Sequence, residues 1–293
     1  MDKLKIAFID FWPHFPIENI FLPILEKNYE VVIDEINPDV IFHSVFSKNS
    51  QKYKCKKILY IAENFRAALF NSDYTISYDP HTEKNYFLPV WQYYMILNPE
   101  YKDALFNKIN LNSFERFCSY IVSNGGNFMR NGIFNTLNNY KKVHSYGKFM
   151  TNDFSLIRLS KPGVVDNKQL AAGSFWRSEK LKFLREHTHK FAVAFENAYT
   201  PYYNTEKLMD AYLVGAIPIY WGDPRLKEDW NEEAFINTKG NLDKALSIVK
   251  SLDNDENLFR EMYSKPVFTE EQKERHIKNM ENFEKWLINI VKV

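Results

Sequence analysis

Short runs rich in Val, Ile and Phe alternate along this chain with segments of helical spacing, and part-way along the alternation begins again. Nothing else in the sequence narrows the possible folds as much. Apolar runs of about four to eight residues suit strands buried on both faces, the condition of a parallel sheet covered by its crossover connections. In the first third, KIAFID (5–10), VVIDE (31–35), DVIFHSVF (39–46), KKILYIAE (56–63) and DYTISYD (73–79) read as strands. ENIFLPILEKN (18–28) has helical spacing, with Pro23 early in the helix or splitting it. A helical stretch at 98–109 leads to the restart. There RFCSYIVSN (116–124), KKVHSYG (141–147), KFAVAFEN (190–197), AIPIYWG (216–222) and AFINT (234–238) read as strands. Helices are predicted over 127–140, 178–187 (opened by Ser178 as a cap) and 205–215, with Gly215 suited to its C-terminal turn. Three more follow at 241–252, 254–264 and 269–291, while residues 148–177 carry no readable pattern.

Two such halves in 293 residues predict an α/β chain of two Rossmann-like domains facing each other across a cleft. The expected division is 1–105, 106–268 and a C-terminal helical segment, 269–293, packed back on the body. In sheets of this kind ligands sit beyond the carboxyl ends of the strands. The loops 62–72, 123–130 and 197–206 are placed there.

Composition removes several functions. Hydrophobic residues make up 45% of the chain, enough for a sizeable core and too many for disorder. Lys and Arg total 38 against 37 Asp and Glu, so no bulk positive field exists to hold nucleic acid. Cys55 and Cys118 lack metal-ligand spacing, and free thiols in a reducing compartment are a simpler reading than a single disulfide. The first residues are interrupted by Asp10, Pro13 and Pro16, so they read as neither signal peptide nor membrane span. A cytoplasmic protein is expected, with membrane contact at most peripheral, through the last helix. The 24 Phe, 18 Tyr and 6 Trp are mostly core residues, a minority being suited to stacking on a sugar face. No P-loop, G-x-G-x-x-G, H-E-x-x-H or G-x-S-x-G occurs. The D-x-D at 253–255 follows no clear strand and reads as solvated, so no metal site is assigned.

What remains is FENAYTPYYNTEKLMDAY (195–212), a strand end, an aromatic loop and a helix start. Glu206 and Lys207 fall in the first turn of that helix. A helix N-terminus offers unpaired N–H groups and partial positive charge, so with Lys207 it can hold a diphosphate. Arg130, at the start of another helix, can reach the same place, and Gly125–Gly126 before it permit close backbone approach. Glu206 can then face positive charge developing on a sugar ring. The plainer reading is that Glu206 satisfies the helix dipole and Lys207 is solvated. Glu63, at the end of a first-domain strand, is placed to take a proton from a hydroxyl, or is an ordinary strand-end acid.

Specific segments resemble the α1,3/4-fucosyltransferases of glycosyltransferase family 10, bacterial members above all. They are KIAFIDFWPHFPIENIFLPIL, YIAENFRAALFNSDYTISYD, IVSNGGNFMRNGIFNTLNNYKKVHSYG and FAVAFENAYTPYYNTEKLMDAYLVGAIPIYWGDP. The ordered combination F-E-N, Y-x-T-E-K, D-A-Y and I-P-I-Y-W-G in the last is the most specific. The resemblance implies a GT-B fold, GDP-fucose as donor and inversion at the anomeric carbon. The acceptor would be GlcNAc or Glc in a β-galactoside glycan such as N-acetyllactosamine, linked α1,3 or α1,4. Arg130 and Lys207 would bind the diphosphate, Glu206 the fucose, Asn197 and Tyr203 would shape the donor pocket, and Glu63 would be the general base. No cofactor is required, with Mn or Mg as stimulants. The chain departs from the pattern at Ala62, where Gly is expected, at Ala67, where Pro is usual, and at Tyr146, in place of Gly. The C-terminal heptad repeats and basic tail of some bacterial members are missing. Other readings are a GT-B transferase with another nucleotide-sugar donor, or an inactive protein that binds nucleotide sugar or glycan.

Overall fold

The computed structural model describes all residues except 13, 14, 16–18, 160–173 and 293, and for 174–176 the backbone alone. The chain forms two compact units, one of Met1–Pro99 with Glu274–Val293, the other of Glu100–Lys273.

Unit 1 holds a parallel sheet of six strands. They are β1 (Asp2–Ile9), β2 (Tyr29–Ile33), β3 (Val40–His43), β4 (Lys56–Tyr60), β5 (Tyr74–Ser77) and β6 (Asn85–Phe87), in the order β2-β1-β3-β4-β5-β6. Ile6 pairs with Ile33 on one side and Val40 on the other. One face of this sheet carries Leu4, Ile6, Phe8, Phe42, Ile58 and Ile76, all buried. Helix α1 (Phe21–Leu25) covers it with Phe21 and Leu25. The long C-terminal helix, Glu270–Ile290, adds Phe283, Leu287 and Ile290. At roughly 1.5–3 kcal/mol for each large apolar side chain buried, this face supplies most of the unit's hydrophobic stabilisation. The opposite face carries, among the described residues, a smaller cluster, Ala7, Ile9 and Ile41 with Tyr53 and Cys55 against it. Its crossovers contain single turns of 3₁₀-helix, Asn49–Lys52 and Ala67–Leu69, in place of full helices.

Unit 2 holds a second parallel sheet, β11-β10-β9-β7-β8. Its strands are β7 (Arg116–Tyr120), β8 (Val143–Ser145), β9 (His189–Phe195), β10 (Ile217–Trp221) and β11 (Ile236–Asn237). Pro218 lies beyond the two residues of β10 that β11 pairs, so its missing N–H breaks no bond there. Between the strands run α4 (Phe128–Tyr140), α5 (Ser155–Leu159), α6 (Ser174–Glu186) and α7 (Glu206–Leu213), and after the last strand come α8 (Leu242–Asn254) and α9 (Glu256–Ser264). Gly215 has φ 74° just after α7, the left-handed turn expected of it.

Several expectations need correction. Between 79 and 98 the sequence predicts no element, yet Val90–Leu97 forms helix α2, followed by α3 (Pro99–Phe106). Two helices, α5 and the start of α6, fall in the stretch 148–177. Ser178 therefore lies inside α6 and does not cap it. Serine is tolerated in helix interiors, so it marks a start only where the preceding backbone is non-helical. Part of the predicted helix 18–28, Glu18, lies outside the described residues. The D-x-D is spent locally. Asp253 accepts from Tyr140 and Lys141, and Asp255 caps α9 through Asn257 and Leu258 N–H groups. No described helix is long and apolar enough to cross a membrane.

Candidate functional site

In unit 2 the connection from β7 runs to β8 on one side, and the chain then crosses back to β9 on the other. The loops after β7 and β9 therefore diverge, leaving a crevice at the carboxyl ends of the two strands. Arg130 arrives there from the first loop, and Glu196, Asn197, Tyr203, Glu206 and Lys207 from the second.

Glu196 is the centre of the arrangement. It follows β9 directly and is fully buried. Oε1 accepts the N–H of Thr205 at 2.8 Å, and Oε2 accepts the Thr205 hydroxyl at 2.8 Å and Lys207 Nζ at 3.1 Å. Room for it exists because Gly222 follows β10: a Cβ there would stand 2.5 Å from Glu196 Cγ. Lys207 Nζ also donates to Thr205 Oγ1 at 2.7 Å and lies 3.7 Å from Glu206 Oε1. Burial alone would lower the pKa of Lys207, but Glu196 first and Glu206 second raise it, so the ammonium stays charged.

Arg130 is buried, which depresses the pKa of its guanidinium without removing its charge. Nε and Nη2 donate to the Phe195 carbonyl at 3.2 and 2.8 Å, and Nη2 to Asn197 Oδ1 at 2.5 Å. Asn127 Nδ2 ties the Asn197 carbonyl to the first loop at 2.8 Å. The Tyr203 phenol is buried and acts electrostatically on Arg130 and Tyr220.

The two helix starts differ. Asn127 caps α4, its side chain accepting from the N–H groups of Met129 and Arg130. Thr205 occupies the same position before α7 but makes no side-chain cap, because its hydroxyl is engaged by Glu196 and Lys207. The Glu206 N–H turns to its own carboxylate, and the first-turn amides of α7 that follow it, beside Lys207, are the ones left for an anion.

Glu206 lies one turn before Asp210, on the same side of α7. Asp210 is buried and accepts from Arg177 and, at 2.6 Å, from Lys180 of α6. Burial works against ionisation of Glu206, yet Lys207, Lys180 and Arg177 hold its pKa down to about 2. It is a fixed negative charge at any physiological pH and cannot carry a proton.

The loop is braced from behind by Asp223, which is buried. Its Oδ1 accepts the N–H groups of Tyr202 and Arg225, each at 2.8 Å, and Tyr202 is held at φ 67°. Burial raises this carboxyl to about 6 in spite of those bonds, with Glu196 and Glu228 adding to the effect. A carboxyl raised by folding costs stability once ionised, and the cost grows as pH rises from about 4 to about 6. Asp223→Asn keeps the accepting oxygen without the charge. It is expected to stabilise the protein above pH 6 by roughly 1–3 kcal/mol and to flatten the fall in Tm across that window. Equal slopes in variant and parent, measured by thermal melts, would acquit Asp223.

Glu63 belongs to unit 1, three residues after β4, and is half-buried. Its carbonyl accepts the Phe65 N–H at 2.7 Å. Asp79, after β5, pins the loop: Arg66 donates to it at 2.6 Å and Ala67 N–H at 2.7 Å. The departure at Ala67 thus supplies a donor that Pro lacks. Tyr146 is buried, its hydroxyl between Arg116 at 2.5 Å and His189 at 2.9 Å, at the amino ends of β7 and β9. At Gly125 a Cβ would meet the Phe149 ring at 2.2 Å, so packing alone accounts for that glycine.

The donor-side residues expected from the sequence, Arg130, Asn197, Tyr203, Glu206 and Lys207, thus converge in one unit. Sequence reasoning gave no role to Glu196, although F-E-N was in view. A charged residue ending a near-continuous apolar strand was the available signal.

Residues 6–95 match the family model described as the alpha-(1,3)-fucosyltransferase FucT N-terminal domain. Residues 112–283 match the glycosyltransferase family 10 (fucosyltransferase) C-terminal model. The chain is 30% identical over 167 residues to the alpha-(1,3)-fucosyltransferase FucT of Helicobacter pylori, covering 56% of this chain and 30% of that one. It is 32% identical over 126 residues to GDP-fucose protein O-fucosyltransferase 3 of Xenopus laevis, covering 41% and 24%. The matched stretches therefore span under a third of either relative's length. A solved α1,3-fucosyltransferase with GDP-fucose superposes with a TM-score of 0.70 at 23% identity, covering 98% of this chain and 91% of that one. The fold is accordingly of the GT-B type expected from the sequence. The second model alone spans more than half of the chain, and the chain belongs to glycosyltransferase family 10, the fucosyltransferases.

Proposed function

We propose that the protein transfers fucose from GDP-fucose to a hydroxyl of GlcNAc or Glc in a β-galactoside glycan, with inversion and in α1,3 or α1,4 linkage. The observation that carries this reading is the pair of cations, Arg130 and Lys207, set around buried Glu196 beside the uncapped start of α7. Such a constellation suits a diphosphate leaving group and needs no metal to neutralise it. A divalent cation, Mn or Mg, would stimulate by further screening. Among the described residues no three His, Cys, Asp or Glu side chains gather to hold one.

In this reading the domains divide at about residue 105, the first holding the acceptor and the second GDP-fucose. Arg130 and Lys207 bind the diphosphate, while Asn197 and Tyr203 shape the pocket. Glu63 accepts the proton of the acceptor hydroxyl as its oxygen bonds to the anomeric carbon. The carbon–phosphate oxygen bond breaks, and GDP leaves with the electron pair, needing no proton. Glu206, ionised throughout, faces the positive charge that develops on the ring. The location is cytoplasmic, with membrane contact at most peripheral.

The test is GDP release from GDP-fucose with and without N-acetyllactosamine. Acceptor-dependent release is expected. GDP-fucose binding with no release for glycan or peptide acceptors would favour a binding protein instead, and release from another nucleotide sugar alone would change the donor. Glu206→Ala is expected to lower kcat by about 10²–10³ while GDP affinity changes little, because the charge acts on the transition state. A variant turning over at the parental rate would remove Glu206 from the mechanism.

A further inference from the structure

On unit 1, the thinly covered face of the sheet leaves a cavity of about 650 Å³. We propose that it binds an acidic sugar residue of the acceptor chain. The inference rests on the glycosyl-transfer reading and names the chemistry of its acceptor.

The position follows from the topology. β1 has β2 on one side and β3 on the other, so the loop after β3 leaves the sheet at its switch point. That loop, residues 44–51, forms one wall. The other wall is residues 69–71, the far end of the loop that begins with Glu63. Leu69 stands six positions after Glu63, a span of at most ~22 Å. A glycan with its reacting hydroxyl at Glu63 can extend along this loop into the cavity.

The lining specifies the ligand. It includes Lys48 and Lys57 and no Asp or Glu. Neither ammonium has a partner among the described residues, although Lys57 is half-buried. Two carboxylates lie outside the lining: Asp10 accepts the N–H groups of Asn49 and Ser50 at 3.0 and 2.8 Å, and Asp73 the N–H of Lys57 at 2.8 Å, and neither meets a lysine ammonium among the described residues. His43 is held by Ser72 at 2.7 Å, and burial lowers its pKa, so it stays neutral. The charged side chains of the lining are therefore the two lysines. Phe46 and Leu69 are exposed beside them, Phe46 steadied by the edge of Trp12 at 5.6 Å. Ser47 and Gln51 add hydrogen-bonding groups. Apolar surface for a ring face, neutral groups for hydroxyls and two free cations together fit a sugar bearing a carboxylate, sulfate or phosphate. An apolar or neutral ligand would leave Lys57 enclosed and unpaired.

The experiment compares N-acetyllactosamine with the same disaccharide extended by one uronic acid, in transfer and in direct titration without donor. The parent and the double variant Lys48→Ala/Lys57→Ala are measured. The acidic acceptor is expected to show a KM about tenfold lower, as two charge-assisted contacts allow. That ratio should fall to about twofold in the variant and in roughly 0.5 M salt. Equal KM values in the parent would overturn the inference and leave fucosyl transfer standing. Absence of transfer to either acceptor, with lysine-dependent binding of the acidic one, would overturn the transfer reading and leave the pocket. A phosphopeptide or RNA displacing the acidic saccharide more tightly at the same lysines would overturn the saccharide assignment.

Discussion

Lys207→Ala is expected to lower kcat/KM for GDP-fucose by about 10³-fold or more and to destabilise the fold at the same time. Two effects coincide. The ammonium is the cation paired with Glu196, 3.1 Å from its Oε2, and Glu196 is fully buried. Removing one partner of a buried pair leaves an uncompensated charge, costing about 3–5 kcal/mol. Separately, loss of a cation aimed at the leaving diphosphate costs about 10²–10³ in rate, and weakened donor binding adds to it. A second variant separates the two. Glu196→Gln combined with Lys207→Met removes both charges, so most of the stability should return while transfer does not. Thermal melts and GDP titrations on the single and double variants provide the comparison. If the double variant binds GDP like the parent, Lys207 is a structural residue and the phosphate assignment is wrong.

The second large effect concerns the acceptor. Glu63→Gln should reduce acceptor-dependent GDP release by about 10²–10⁴-fold, the usual contribution of a general base, with GDP-fucose affinity unchanged. Gln preserves shape and hydrogen bonding, and the loop is held independently by the Arg66–Asp79 pair and the Ala67 amide. The loss would therefore report on proton transfer and not on loop collapse. Full activity in the variant would shift the base elsewhere, whereas loss of GDP-fucose affinity would make Glu63 a donor-site residue.

Much of the fold was legible because it is written in short windows. Strands such as Val40–His43 and Lys56–Tyr60 fell inside the apolar runs that predicted them, and His189–Phe195 began one residue before its run, while all three runs extended past the observed ends. Those excess residues, among them Ser44, Glu63 and Glu196, are the ones that leave the sheet. Helix α7 was legible from Thr205, Gly215 and the spacing between them. Helix α6 was legible only from its middle, since the residues before Ser178 show no apolar period. Along the site, charge and position marked Arg130, Glu206 and Lys207. Nothing local indicated that Asn127 closes one helix start while Thr205, drawn off by Glu196, leaves the other open.

By itself the sequence determined the α/β class, the two-fold repetition of the pattern, and which loops carry carboxylates and cations. These depend on periodicity and residue type within a few turns of chain. The tertiary structure decided the strand order, hence the switch points, and which charges neutralise one another. Arg130 meets the Phe195 carbonyl across 65 residues of sequence. Lys207 is matched to Glu196 only because β9 and α7 pack side by side and Gly222 leaves the room. Pairings of that kind depend on long-range packing, where burial sets the cost of every unmatched charge.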